Sequence, residues 1–401
     1  MSGANGKVQA FISKVERYAG KKPFLVVSAP GRMDFLNTHQ DYKGLPVVPI
    51  AVTLRTYIGI VEKRPDVFRV RSLTLQERGE EHLDEFSVKS PLLRGRGWFG
   101  DYLRAVLRVV GERVGSYSIG GELYISSEVP IGSGLASSAA LEVAFGEFLN
   151  NYWALGLDKM ELAETCFVAE KEVMGIPCGR LDQYSSAIGN AILLYPSPPV
   201  KYEVLPIEGA SFVAVDSGIR HSVGSIHPVR QRELNEGLRK LLKMSLPGYV
   251  RKHLGESFDS VNWMEITYQD LEPYIRQLSR QEAGRIAYTL LANESTRLAL
   301  ELIKRGTGDL EALAKIINEQ HELLRDLYEV SLPELERIRN SMLESGALGV
   351  KISGAGMGGC LIALCRDEES SRRVLEAALG AGAVRGWMLK IDRGSSLDYS
   401  E

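Results

Sequence analysis

The sequence predicts an α+β protein of two packed domains, and three observations carry that prediction. Short β-like runs crowd the first third, at 24–29, 47–53, 56–63 and 67–73. From about 231 to 344 the pattern is mainly helical, and the end returns to strands around a glycine turn. At 401 residues the chain also exceeds what one hydrophobic core usually serves. The expected division is 1–205 as an N-terminal domain and 206–401 as a C-terminal one, with the active site in the cleft between them.

Taken in order, residues 7–19 read as an amphipathic helix, with Val8, Phe11, Ile12, Val15 and Tyr18 on one stripe. The strands of the first third follow, then helices near 101–114, 137–155 and 159–174, with a β-like run from Tyr117 to Val129 between the first two. Strands at 191–195 and 211–216 lead into the helical half, which includes 281–304 and 308–328. The last segments are strand 348–353, strand 360–365, helix 368–379 and strand 384–391. There is no internal repeat, low-complexity tract or long linker.

Composition narrows the class. Hydrophobic content of 44% and charged content of 25% are those of a soluble globular protein. A formal net charge of −3, without a long basic run, argues against nucleic acid as a partner. Cys166, Cys178, Cys360 and Cys365 have no zinc-binding spacing and are too few for a disulfide scaffold. No apolar leader or membrane-length run is present, so a cytoplasmic setting is expected.

The most informative segment is Val129-Pro130-Ile131-Gly132-Ser133-Gly134-Leu135-Ala136-Ser137-Ser138-Ala139-Ala140. A β-like run enters two glycines, then small hydroxyl residues, then a periodic helix. Glycines let backbone approach a ligand, and the unpaired N–H groups of a helix start suit phosphate. No Gly-Lys-Ser/Thr ends the loop, so it is not a Walker A motif. Two further segments stand with it: Ala29-Pro30-Gly31-Arg32-Met33-Asp34 running on to His39-Gln40-Asp41-Tyr42-Lys43-Gly44, and Lys351-Ile352-Ser353-Gly354-Ala355-Gly356-Met357-Gly358-Gly359-Cys360. Together they resemble the three ordered motifs of the GHMP small-molecule kinases. The first motif, with Met174-Gly175-Ile176-Pro177-Cys178-Gly179-Arg180-Leu181-Asp182-Gln183, resembles the galactokinase branch. The resemblance covers nearly the whole chain.

That resemblance implies the two-domain GHMP kinase fold and an ATP-dependent sugar kinase acting on the anomeric hydroxyl of galactose or a similar sugar, with ATP and Mg²⁺ as cofactors. It implies Asp182 as catalytic base with Arg32 as partner, and Ser138 and Glu170 as metal ligands. Pro130, Gly132, Ser133, Gly134, Leu135, Ala136, Ser137, Ser138 and Ala139 would cradle the phosphates, and Trp98 and Phe99, near Tyr102, would meet adenine. Thr38, His39, Asp41, Tyr42, Gly179, Asp182 and Gly356 would face the sugar. Partners would be the sugar and ATP alone, with no nucleic acid or membrane, on a monomer or homodimer.

The match fails at one place. Galactokinases typically read Gly-Glu-His-Thr-Asp-Tyr-Asn-Gly, whereas this chain has Asn37 and Thr38 ahead of His39, and Asp34 where the family carries Asn. Loss of the Glu removes an acceptor for the sugar's primary alcohol. Galacturonate, L-arabinose and an N-acetylated hexosamine therefore stand beside galactose as substrates. A non-catalytic galactokinase-like sensor is the remaining alternative, against which Ser137, Ser138, Arg32 and Asp182 are all retained. A tyrosine that the family sets against the sugar is not evident near His227; His227, Arg230 and Arg220 are the residues available there.

Overall fold

A computed structural model describes residues 2–401 except 96, 116, 208, 221–222, 257–259 and 307–308, with backbone alone for 2–5, 114 and 223–227. Strands β1 (Leu25–Leu36), β2 (Val48–Pro65), β3 (Val67–Ser72), β4 (Leu83–Ser87), β5 (Ile119–Ser127) and β12 (Ser396–Ser400) form one sheet in the order β12-β1-β2-β5-β3-β4. Neighbours are antiparallel except β3 and β5. Strands β8 (Ser211–Asp216), β9 (Gly349–Ser353), β10 (Cys360–Cys365) and β11 (Arg385–Leu389) form an antiparallel sheet in the order β11-β8-β10-β9. The hairpin of β6 (Ile192–Tyr195) and β7 (Lys201–Val204) lies between them in the chain, and the helices include α2 (Leu73–Glu77), α7 (Val223–Leu241), α8 (Gly248–Leu254) and α9 (Tyr268–Ile275).

Alternation decides how each sheet is covered. Phe212 and Ala214 of β8 pack toward helices α10 (Arg280–Lys304) and α11 (Leu310–Asp326), while Val213 and Val215 face α12 (Pro333–Glu344) and α13 (Glu368–Gly380). In the first sheet Val27, Ile58, Phe68 and Leu123 meet helices α3 (Phe99–Val114), α4 (Ser137–Tyr152) and α5 (Lys159–Val168). The opposite face is closed by α1 (Ser2–Ala19) through Val8, Phe11, Ile12 and Val15.

The two halves share a core. Met33 and Phe35 of β1, with Val48, Ile50 and Val52 of β2, cluster with Phe212, Ile362 and Leu364 of the second sheet. The division expected at residue 205 falls between β7 and β8, yet β12 crosses back to pair with β1, Leu25 opposite Ser400. Two expected strands, 47–53 and 56–63, are one continuous β2, and the expected strand at 24–29 runs on through Pro30-Gly31 to Leu36. The register of β1 on β2 shifts between Pro30 and Arg32, a bulge at Gly31. A Cβ at Gly31 would stand 2.7 Å from the Leu135 carbonyl oxygen, so the bulge lets β1 and the β5–α4 loop touch.

Candidate active site

The β5–α4 loop is built for an anion at its rim. Gly132, Gly134 and Ala136 have φ of 66°, 91° and 58°, conformations that glycine meets without strain. Ala136, the residue capping α4, offers no side-chain acceptor to the first turn. Those N–H groups and the positive end of the helix dipole remain for a ligand. Ser137 and Ser138 line the adjoining cavity, of about 670 Å³. Ser133 turns its hydroxyl back to the Pro130 carbonyl at 2.9 Å, and Leu135 and Ala139 are buried. These four residues thus shape the loop, while Gly132, Gly134 and Ala136 reach the cavity wall.

Helix α6 (Leu181–Ile188) puts Asp182 in its first turn. Arg32, just past the β1 bulge, reaches one oxygen of that carboxylate twice: Nε lies 2.8 Å and Nη2 2.6 Å from Oδ1. Its Nη1 donates to the Gly134 carbonyl at 2.6 Å, and its backbone N–H to that of Leu135. Arg32 therefore ties the aspartate to the glycine loop.

Glu170 lies where α5 loosens into a π-turn, Ala169–Val173, with the Met174 N–H donating to the Ala169 carbonyl. Such turns recur at functional sites because the extra residue re-aims side chains. Glu170 is hydrogen-bonded by Ser138 and by Gln183, whose amide also reaches Glu142 of α4. Burial, then the nearby Asp182 charge, pushes the Glu170 carboxyl up to about 7. Burial and Glu170 push Glu142 well above the carboxylate range. A raised carboxyl means the folded chain holds a proton that the unfolded chain loses near pH 4.5. Its contribution to stability is complete below that pH and is lost as pH rises through about 7. We expect the ligand-free protein to lose on the order of 3 kcal/mol from this group across that window. Denaturant titrations of wild type and Glu170→Gln over the range should show a flatter profile in the variant. Equal slopes would assign the loss to another group.

At the far wall stand Asp34, His39, Asp41 and Tyr42. Asp41 accepts the Leu181 N–H at 3.2 Å, and burial lifts its carboxyl to about 6, that hydrogen bond opposing. Gly179 faces it so closely that a Cβ there would stand 1.8 Å from Asp41 Oδ2. The His39 ring packs on Tyr328 with centroids 4.9 Å apart, and the Tyr42 hydroxyl meets that of Tyr328 at 2.6 Å. Thr38 lies behind the wall, 1% exposed, its hydroxyl accepting from Lys351 Nζ at 2.7 Å. Lys351 is itself buried, and that burial lowers its ammonium to about 8, with Asp34 opposing. Gly356 packs on Val330, whereas its neighbours Gly354 and Ala355 face the cavity.

The other end is aromatic. Trp98 and Phe99 contact each other at 4.7 Å between centroids and line the cavity with Tyr102. Asp84 accepts from the Trp98 indole at 2.9 Å, and Arg94 stacks on its ring.

Arg230 is committed to Glu233 and to the Glu329 carbonyl, and Arg220 to Asp216; neither lines the cavity. The His227 side chain lies outside the described residues. Glu142 was missed by the sequence reading, although it follows Ser138 by four residues on α4 and so shares its helix face. Lys351 and Tyr328 carried no signal that separated them from core residues. Among the described residues no cluster of three or more His, Cys, Asp or Glu could hold a metal, and no helix is long and apolar enough to cross a membrane.

Comparison with known proteins agrees with this geometry. Residues 101–190 match the GHMP kinases N terminal domain, 299–383 the GHMP kinases C terminal domain, and 15–61 the galactokinase galactose-binding signature. The galactokinase of Thermotoga petrophila is 31% identical over 85% of this chain and 89% of its own length. That of Chloroflexus aurantiacus is 32% identical over 94% and 92%. Among solved structures, Lactococcus lactis galactokinase complexed with galactose superposes with a TM-score of 0.80, covering 97% of this chain and 99% of that one at 22% identity. The Methanococcus jannaschii mevalonate kinase follows the same fold with a TM-score of 0.66 at 18% identity, over 92% and 99%. With relatives of this kind 31% and 32% identical over most of both chains, this chain belongs to the galactokinase family of GHMP kinases.

Proposed function

We propose that this protein transfers the γ-phosphoryl group of ATP to the anomeric hydroxyl of galactose. The Arg32–Asp182 geometry carries the reading. Both guanidinium contacts converge on Oδ1, which leaves Oδ2 to accept the proton of an attacking hydroxyl. Phosphoryl transfer asks a protein chiefly to position reactants and neutralise charge. The α4 N-terminus answers the phosphates, and Trp98 and Phe99 offer an apolar slot for the base. Arg32 holds Asp182 beside the glycine loop, so acceptor and donor meet at one point.

We assign Mg²⁺ as the metal. Glu170 and Ser138 are the hard oxygen donors at the phosphate end, and a carboxylate with a hydroxyl suits an ion that takes few protein ligands and keeps the rest of its shell for water and phosphate oxygens. When bound, Mg²⁺ offsets charge on the phosphate oxygens. The site is that of a cytoplasmic enzyme acting alone or as a homodimer, an assignment the four free cysteines fit.

The sensor reading is disfavoured because Ser138, Glu170, Arg32 and Asp182 all assemble on one cavity. A coupled ADP-release assay with Mg²⁺-ATP against galactose, galacturonate, L-arabinose and N-acetylgalactosamine tests the proposal. Galactose should give the highest kcat/KM. A higher value on another sugar would move the substrate assignment, and no turnover with ATP still bound would restore the sensor reading.

A further inference from the structure

Resting on the sugar-kinase reading, we propose that Asp34 is a specificity-determining residue of the sugar subsite. Its carboxylate accepts a hydrogen bond from one hydroxyl of the bound sugar and selects neutral sugars over uronates. Asp34 lines the cavity beside Arg32 and Asp41, and its Oδ1 is buried with no hydrogen-bond partner. The rest of the residue is held on every side. The Thr38 hydroxyl lies beside the carboxyl and favours its charged form, the Asp34 N–H donates to Ser353 Oγ at 3.0 Å, and its carbonyl accepts from Lys351 at 2.7 Å.

Lys351 explains why no protein cation answers Oδ1. An ammonium has three N–H bonds. Here they go to the Asp34 carbonyl, Thr38 Oγ1 and the Ile352 carbonyl at 2.7, 2.7 and 3.0 Å. Thr38 takes one of them and so turns its own proton toward Asp34. The lysine thus orients the carboxylate through Thr38 without capping it. A buried carboxylate oxygen lacking a donor is costly, and a sugar hydroxyl supplies one. The same spent lysine leaves nothing to pair with an acidic sugar, whose carboxylate would meet Asp34 and Asp41 instead. Thr38, read from sequence as a pocket residue, becomes a positioning residue.

The test is a cycle between Asp34→Ala and the series of monodeoxy galactoses that keep the anomeric hydroxyl, read as kcat/KM. In wild type each missing hydroxyl that is recognised should cost about tenfold to a hundredfold. In Asp34→Ala that penalty should fall below about threefold for one position and stay unchanged for the others, the mark of a direct pair. Asp34→Asn, nearly isosteric and so without a cavity or clash to disturb the fold, should show a partial version and narrow the preference for galactose over galacturonate. Unchanged penalties in both variants, with wild-type activity on galactose intact, would overturn the Asp34 assignment alone. Wild type that prefers a different neutral sugar would overturn the galactose reading, and the cycle on that sugar's deoxy series would decide Asp34 separately. Preference for galacturonate, or turnover of no sugar, would overturn both.

Discussion

Asp182→Asn should lower kcat by about a thousandfold while leaving the affinity for ATP within about threefold of wild type. The amide keeps the size of the carboxylate and can still accept from Arg32, so the fold and the Arg32–Gly134 contact persist. What it loses is an oxygen able to take the hydroxyl's proton. Rapid-quench measurement of the chemical step, with nucleotide binding followed by calorimetry, separates the two effects. Near-normal turnover would remove Asp182 from the mechanism and leave it as a structural partner of Arg32. A matching loss of ATP affinity would mean that the pair holds the glycine loop rather than the acceptor.

Gly134→Ala is expected to cut kcat/KM by at least about a hundredfold and to cost about 2–4 kcal/mol of stability. Gly134 has φ of 91°, and a Cβ would stand 2.4 Å from the Ser353 carbonyl oxygen. Its own carbonyl accepts from Arg32 and from Ser353 Oγ. The added methyl would push the glycine loop off the β9–β10 turn and loosen Arg32 together with it. Gly132→Ala is the control. Its φ is 66°, but the nearest atom to an added Cβ is Arg220 Cδ at 3.8 Å, so it bears backbone strain alone, about 1 kcal/mol. Similar losses of activity in the two variants would show that loop conformation matters and the contact with Ser353 does not.

The frame was largely legible because long periodic segments declare themselves: α4, α10 and α11 lie close to where spacing puts them. The misses have physical causes. The gap left between the strands expected at 47–53 and 56–63 falls on Leu54 and Arg55, but Arg55 is buried in β2, paired with Asp392 and the Gly394 carbonyl. Partners more than 300 residues away leave no local trace. The strand expected to end at residue 29 continues past Pro30-Gly31, where the pair forms a bulge. β12 alternates only as Ser-Leu-Asp-Tyr-Ser, five residues at a sheet edge and too short a pattern to announce a strand. In the site, the resemblance of the motifs to galactokinases singled out Arg32, Asp182, Ser138 and Glu170, which all reach one cavity. It could not reveal that Thr38 points its hydroxyl at Lys351, since that depends on the close approach of β1 to β9.

The seam between β12 and β1 sets an order of events in biosynthesis. β1 carries Arg32, and its outer edge is covered by residues that leave the ribosome more than 350 positions later. Until then the first sheet presents a bare strand edge, the kind of surface that captures other chains. A fragment ending at residue 205 would lack β12 and keep that edge open, so the first half of the chain depends on its last residues for a closed sheet.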